Sequence, residues 1–163
     1  MKKMLTALLA VGATSLMIGC SASNAMVQKP QAAPVVKDPV AKSSVLFNVT
    51  SEDPQVQLMS MVLTMQSAKQ GADTRVLLCG KAGDMALRDA PASATTGQPP
   101  FNMSPQGLMK AVMENSNTKV EVCAIYLPGK GLDPSALIEG VGTADPSDIA
   151  ELITDLTTKV VSF

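Results

Sequence analysis

The sequence predicts one α/β domain built on an open parallel sheet, with helices on both faces in three layers. From residue 44 to the C terminus, short apolar runs rich in Val and Leu alternate with segments of helical pattern. Two helical segments open with a capping residue followed by proline, at Ser104-Pro105 and Asp145-Pro146. The run Arg75–Cys79 is almost wholly apolar, as in a strand that is covered on both faces. Strands separated by helices pair in parallel, with right-handed crossovers.

The same signals place the elements in order along the chain. The predicted strands are Val45–Val49, Arg75–Cys79, Val120–Tyr126 and Lys159–Phe163. The predicted helices cover residues 53–70 and Ser104–Asn115, and begin again at Asp133-Pro134 and Asp145-Pro146. A loop with a short helix is predicted over Gly80–Ala90, and a loop that acts as a lid or an oligomer contact over Pro91–Pro100.

The helix predicted over residues 53–70 carries more apolar residues than a helix with one solvent-facing side needs. Its methionines, valines and leucines extend around most of its circumference. We therefore expect this helix to be covered on two faces, by the sheet and by another subunit.

The N-terminal segment has the organisation of a secretion signal. Lys2 and Lys3 precede an uncharged apolar stretch, Met4–Ile18, which is too short to span a membrane comfortably. Leu16-Met17-Ile18-Gly19-Cys20 matches a bacterial lipobox, with Met17 where leucine is usual. The prediction is a lipoprotein signal over residues 1–19, with Cys20 as the lipid-bearing residue. The alternative is an ordinary secretory signal that leaves Cys20 as a free thiol.

Cleavage before Cys20 leaves 144 of the 163 residues, enough for one domain with a core. Residues 20–43 are rich in Pro and Ala without apolar periodicity, which predicts a flexible tether, and residues 44–163 form the domain. Because Ser21 follows directly, and not the Asp that commonly retains lipoproteins at the inner membrane, we expect an outer-membrane anchor facing the periplasm.

Composition excludes several classes of function. The chain has no histidine, which removes Ser-His and Cys-His nucleophile pairs and the commonest transition-metal ligand. It has four aromatic residues and no block of basic residues, so nucleic acid is not an expected partner. The signal holds two of the 13 basic residues, so the remaining chain carries 11 basic and 14 acidic side chains, a net charge of −3. We expect no cofactor and no metal.

The two remaining cysteines are the main candidates for chemistry. Cys79 and Cys123 each stand toward the carboxyl end of a predicted strand, the edge at which open parallel sheets bind ligands. Their spacing matches neither a CxxC motif nor a zinc site. Three interpretations stay open: buried core residues, a disulfide, or reactive thiols.

Glycines and lysines beside the cysteines are candidates for binding a ligand or an anion. Gly80, Lys81 and Gly83 follow Cys79 and lead into a predicted helix, whose backbone amides could stabilise an anion. Lys130 follows Cys123 in a glycine-containing loop and adds one positive charge.

Methionine pairs offer a further alternative. Met61 with Met65 and Met109 with Met113 are spaced by four residues, and thioethers together with a thiolate would suit Cu(I). Methionine stripes at this spacing are more typical of helix packing, and we favour that interpretation.

Four segments together resemble the DsrE/DsrF-like family. They are Ser44–Val49, Arg75–Asp84, Ser104–Met109 and Lys119–Pro128, and the resemblance covers about residues 44–163. It implies a flavodoxin-like fold of the YchN type and a homo-oligomer or hetero-oligomer.

The resemblance also implies a role in sulfur relay, in which a cysteine holds sulfur as a persulfide between a donor and an acceptor protein. By that match Cys123 is the sulfur acceptor, and Cys79 is a candidate resolving thiol. The activity would be that of a sulfurtransferase or a carrier without classical turnover. The competing hypothesis is a non-catalytic lipoprotein that binds a small ligand or a partner protein and whose cysteines are structural.

Overall fold

The computed structural model describes residues 43–163, which form a five-stranded parallel sheet in the order β4-β3-β2-β1-β5. The strands are β1 (Ser44–Val49), β2 (Asp73–Leu78), β3 (Lys119–Val122), β4 (Val141–Thr143) and β5 (Thr158–Ser162). The predictions of a signal, of a tether and of lipidation at Cys20 concern residues outside this part.

Five α-helices and two 3₁₀ turns connect the strands. The helices are α1 (Pro54–Lys69), α2 (Ala92–Thr95), α3 (Pro105–Asn115), α4 (Tyr126–Lys130) and α5 (Pro146–Thr154). The 3₁₀ segments are Gly80–Ala86 and Pro134–Ala136. Helices α1, α3 and α5 each begin with proline after a side chain that caps the backbone amides: Asp53, Ser104 and Asp145.

The sheet separates two apolar cores, because alternate strand residues point to opposite faces. Val76, Leu78 and Val122 pack with buried Met61 and Met109 on the face of α1 and α3. The smaller core on the face of α5 contains Leu46, Leu77, Ala144 and Ile149. Both cysteines pack against this second core.

The predicted fold class is confirmed: the chain is a single α/β domain with an open, all-parallel sheet. The main differences between prediction and structure are the following. The third strand is predicted to run to Tyr126, but it ends at Val122. The chain turns there into α4, because the Tyr126 N–H donates a hydrogen bond to the Cys123 carbonyl. The helix predicted from Asp133-Pro134 is one 3₁₀ turn, and the loop predicted over Pro91–Pro100 contains α2.

The face that α1 presents to the core is largely polar, although the helix is apolar around most of its circumference. Its buried residues include Gln57, Ser60 and Thr64 beside Met61. The hydroxyl groups of Ser60 and Thr64 donate hydrogen bonds to backbone carbonyls of the same helix. These small polar side chains can therefore lie against the sheet. Met59 and Leu63 remain exposed, so this outer apolar face has no cover among residues 43–163. Cover of this face by another subunit stays a prediction.

A buried carboxylate ties two strands together on the α5 face. Arg75 Nε donates to Glu121 Oε2, and Lys119 Nζ lies 2.8 Å from Glu121 Oε1. The Glu121 side chain is only 4% exposed. Burial alone would raise the pKa of Glu121, but hydrogen bonds from Arg75 and Lys119 outweigh it and hold that pKa below its usual value.

Replacing Glu121 with glutamine should destabilise the protein at neutral pH by about 1 to 3 kcal/mol, since Arg75 would lose a charged partner. Because the pKa of Glu121 is lowered in the folded state, its contribution is fully present above the ordinary value of 4.5 and is lost as pH falls through the folded value. Urea unfolding at pH 7 and across the acid range measures both effects. Asp148→Asn is the control, because Asp148 is exposed and lies 3.9 Å from Arg75 Nη2. We expect it to change stability by less than about 0.5 kcal/mol.

No helix between residues 43 and 163 is long and apolar enough to span a bilayer. Within the same range, no cluster of three or more carboxylate, cysteine or histidine side chains is arranged to hold a metal ion.

Candidate functional site

The two cysteines lie side by side at the carboxyl edge of the sheet. Leu78 and Val122 are register partners, so the next residues of β2 and β3 are neighbours. Each cysteine continues its strand by one ladder bond: Cys79 N–H donates to Val49 C=O, and Cys123 N–H donates to Leu78 C=O. The two Cα atoms are 5.1 Å apart, and the sulfur atoms are joined as a disulfide.

The disulfide decides among the interpretations that the sequence left open for these cysteines. Cys79 and Cys123 are both half-buried, so they are not fully buried core residues. They are bonded to each other, which also means that any thiol chemistry begins by opening this bond. A resolving role for Cys79 requires that its sulfur can reach the sulfur of Cys123, and the disulfide meets this requirement.

A cavity of about 420 Å³ opens beside the disulfide. It brings together most of the residues singled out in the sequence, and it is lined by Cys79, Gly80, Lys81, Cys123, Ile125, Tyr126 and Lys130. Ile125 stands at its rim with 81% of its surface exposed. Gly80 has a positive φ of 56°, which allows the chain to turn away directly after Cys79.

A polar network joins the two segments that follow the cysteines. Tyr126 Oη donates to Asp84 Oδ1 at 2.6 Å, and Lys130 Nζ lies 2.5 Å from the same oxygen. Lys130 also stands 5.4 Å above the Tyr126 ring. The network therefore links the 3₁₀ segment after Cys79 to helix α4 after Cys123 by a route that does not depend on the disulfide.

Burial and hydrogen bonding set the protonation states in this network. Burial would raise the pKa of Asp84, but hydrogen bonds from Lys130 and Tyr126 lower that pKa below its usual value. Burial, followed by the hydrogen bond to the Asp84 carboxylate, raises the pKa of Tyr126 well above 10. At neutral pH Tyr126 is thus a neutral hydroxyl that donates to the Asp84 carboxylate.

Gly83 has a packing role rather than a place in the cavity lining. A Cβ atom at this position would overlap the Tyr126 ring, so only glycine lets the ring lie against the 3₁₀ segment. Lys130 is occupied by its ion pair with Asp84. Four residues were predicted to bind an anion. Of these, Gly80 and Lys81 line the cavity and are neither packed against Tyr126 nor paired with Asp84.

Gln106 supports the same region, and no sequence pattern predicts this role. This residue of α3 is buried, and its Nε2 donates to the backbone carbonyls of Met85 and Leu87 at 2.9 and 2.7 Å. It fixes the end of the 3₁₀ segment that begins after Cys79. A glutamine near the start of a helix carries no sequence signal for such a contact.

Three of the four paired methionines belong to the core on the α1 and α3 face: Met61, Met109 and the partly buried Met113, whereas Met65 is half-buried outside it. Met61 and Met109 are fully buried among strand residues. Their positions agree with the packing interpretation.

Substituting Gly83 with alanine should destabilise the protein by about 1 to 3 kcal/mol, because the added methyl group would displace the Tyr126 ring. Gly129→Ala is the matched control, since a Cβ there meets nothing within 4 Å. That control lies within helix α4, so it should be neutral or stabilising by up to about 1 kcal/mol. Urea unfolding of both variants measures the difference, and equal stabilities would contradict this packing role.

Two solved structures share this architecture. The crystal structure of the ychN protein from E. coli aligns with a TM-score of 0.58 and 20% identity, over 76% of this chain and 100% of that chain. The protein of unknown function MTH1491 from Methanobacterium thermoautotrophicum aligns with a TM-score of 0.55 and 17% identity, over 74% of this chain and 99% of that chain. The chain therefore has a YchN-type fold. No protein-family model matches the chain, and no curated protein matches it.

Proposed function

We propose that this protein is a DsrE-like sulfur carrier of the cell envelope, in which the Cys79–Cys123 pair is the reactive site and Cys123 holds the sulfur. One observation carries the proposal: the disulfide is half-buried at the carboxyl edge of a parallel sheet, against an open cavity of about 420 Å³. The YchN-type fold supports a DsrE-like protein, and the chemistry is argued from the cysteine pair.

Sulfur enters by exchange at the disulfide. A hydrosulfide ion attacks Cys123 Sγ, the S–S bond breaks, and its electron pair leaves on Cys79 Sγ as a thiolate. The products are a persulfide on Cys123 and a free thiolate on Cys79. The incoming sulfide is oxidised to sulfane sulfur and the disulfide is reduced, so this loading step needs no further oxidant.

The carrier is discharged in two ways from the same state. An acceptor thiolate takes the outer sulfur of the persulfide and leaves Cys123 as a thiol. Alternatively, Cys79 attacks Cys123 Sγ, which restores the disulfide and releases hydrosulfide. The bonds from Gln106, and the Tyr126–Asp84 hydrogen bond, hold both segments in place while the disulfide is open.

The envelope location is part of the proposal. Lipidation of Cys20 would anchor the domain to the outer membrane, facing the periplasm, through a tether over residues 20–43. An accessible disulfide is the form expected of two adjacent cysteines in an oxidising compartment. A protein that supplies or accepts sulfur would act there, and the carrier would form homo-oligomers.

Sulfide loading tests the proposal. The full chain with Cys20→Ser, oxidised and purified in detergent, is treated with sodium sulfide and then alkylated, and its intact mass is measured without reductant. We expect one added sulfur atom and two alkyl groups, one on Cys79 and one on the Cys123 persulfide. A mass that stays at the disulfide form, while a small-molecule disulfide reacts under the same conditions, contradicts the carrier.

An apolar groove elsewhere on the domain favours a second candidate function, assembly with another copy of the chain. An apolar groove of about 690 Å³ lies between α1 and the loop before α3. Its residues include Met59, Val62, Phe101, Met103 and Leu108, and Phe101 is 86% exposed. We propose as the alternative a non-catalytic assembly protein that pairs with a second copy through this groove, with an inert disulfide.

The alternative predicts that Phe101→Asp changes the oligomeric state. Light scattering of the full chain in detergent should show loss of the oligomer, because a charge would be buried at the contact. Leu156→Asp is the control, since Leu156 is fully exposed between α5 and β5 and does not line the groove. An unchanged oligomer in the Phe101 variant would remove the groove from the interface.

A further inference from the structure

A second, smaller cavity of about 290 Å³ reaches the disulfide from the side of α5. Cys123 lines this cavity as well as the larger one, whereas Cys79 lines only the larger one. The other lining residues are apolar, and they include Ile125, Ala144, Ile149, Ala150 and Ile153.

The smaller cavity lies on the side from which a nucleophile would attack Cys123. A nucleophile that opens a disulfide attacks one sulfur in line with the S–S bond, from the side opposite to the departing sulfur. Cys79, Cys123 and Ala144 continue three neighbouring strands, β2, β3 and β4, with Cys123 in the middle. An attack on Cys123 that expels Cys79 therefore comes from the side of Ala144, where the smaller cavity lies.

Charge makes the two sides of the disulfide unequal. On the side shared with Cys79, the larger cavity is lined by Lys81 and Lys130. Lys130 is paired with Asp84, so Lys81 is the cation that favours a thiolate as the leaving group. The smaller cavity has no charged lining, and helix α5 beside it carries only acidic charges. The exposed acids along this helix and its caps are Asp145, Asp148, Glu151 and Asp155.

We infer that the disulfide is opened at Cys123 by an uncharged thiol that enters through the smaller cavity, with Cys79 as the leaving thiolate. This inference rests on the proposed function and names its substrate class. Hydrogen sulfide is the smallest such thiol: it enters uncharged and loses a proton to solvent, and the resulting hydrosulfide forms the S–S bond to Cys123 while the electron pair of the old S–S bond goes to Cys79. Asp148 lies 3.9 Å from Arg75 Nη2, whereas Asp145, Glu151 and Asp155 have no ion pair among residues 43–163. The apolar wall and these three acids disfavour thiols that carry an anionic group.

Three thiols of similar length and different charge test the inference. The oxidised full chain with Cys20→Ser, in detergent, reacts with 1-propanethiol, cysteamine or 2-mercaptoethanesulfonate. Each rate is divided by the rate of the same thiol with a small-molecule disulfide in the same detergent, which removes intrinsic reactivity. We expect the normalised rate of the sulfonate to be at least about tenfold below that of propanethiol. Peptide mapping after acid quenching should place the mixed disulfide on Cys123.

A variant that fills the cavity gives a second readout. Ala150 lines the smaller cavity but is itself exposed on α5, so Ala150→Phe should fold and slow propanethiol several-fold. Ala92→Phe, the same change at another exposed helical position, should leave the rate unchanged.

The outcomes separate the inference from the function on which it rests. A mixed disulfide on Cys79, or a sulfonate that reacts as fast as propanethiol, overturns the route through the smaller cavity and leaves sulfide loading intact. A disulfide that resists all three thiols and sulfide, while the small-molecule disulfide reacts, overturns both.

Discussion

Replacing Cys123 with serine should reduce sulfur loading from polysulfide by at least about tenfold, because Cys123 is reached from two cavities and Cys79 from one. Replacing Cys79 with serine should leave loading intact and lengthen the life of the persulfide by at least about a hundredfold, since the neighbouring thiolate that expels sulfide is gone. Intact mass after treatment with polysulfide and removal of the excess, followed over time, measures both quantities.

The two serine variants are matched controls for each other. Both lose the same disulfide, which closes a loop between residues 44 positions apart, so both should lose a similar stability of roughly 4 kcal/mol. Urea unfolding checks that equality. A difference in loading therefore reports on the cysteine that remains and not on folding. Equal loading of both variants would contradict the assignment of Cys123 as the acceptor.

Cys20→Ser should move nearly all of the protein from the membrane fraction to the soluble fraction and abolish incorporation of labelled palmitate in a bacterial host. The physical reason is that each buried methylene of an acyl chain contributes about 0.8 kcal/mol, so a multiply acylated terminus binds a bilayer stably. Fractionation of membranes together with lipid labelling measures the effect.

Met17→Leu is the control for this prediction. It places the usual residue three positions before Cys20, so lipid incorporation should be equal or higher. A Cys20 variant that still carries label, or a wild-type protein that carries none, would favour an ordinary secretory signal.

Local sequence patterns were sufficient for most of the fold. Helices α1, α3 and α5 were placed to within a residue or two, because an N-cap and a following proline specify a helix start through bonds made within one turn. Strands β1, β2 and β5 were recognisable as compact apolar runs. Strand β4 was missed, since three residues at the edge of a sheet are too few to show a period.

The candidate site was only partly predictable. Parallel strands all end at one edge, so the position of Cys79 and Cys123 after two strands was enough to place both thiols there. The support by Asp84, Tyr126 and Gln106 was not foreseen, because those contacts join residues about 20 to 45 positions apart. Tyr126 was assigned to a strand, and the turn at Cys123 directs it onto Gly83 instead.

The sequence by itself determined the alternation of strands and helices, the shared edge of the two cysteines, and the absence of histidine chemistry. The tertiary structure decided that the cysteines are bonded. Strand register is a long-range property: a slip of one residue between β2 and β3 would turn one cysteine to the opposite face of the sheet. Pairing of Leu78 with Val122 sets that register, and it brings the two sulfur atoms together across 44 positions of sequence.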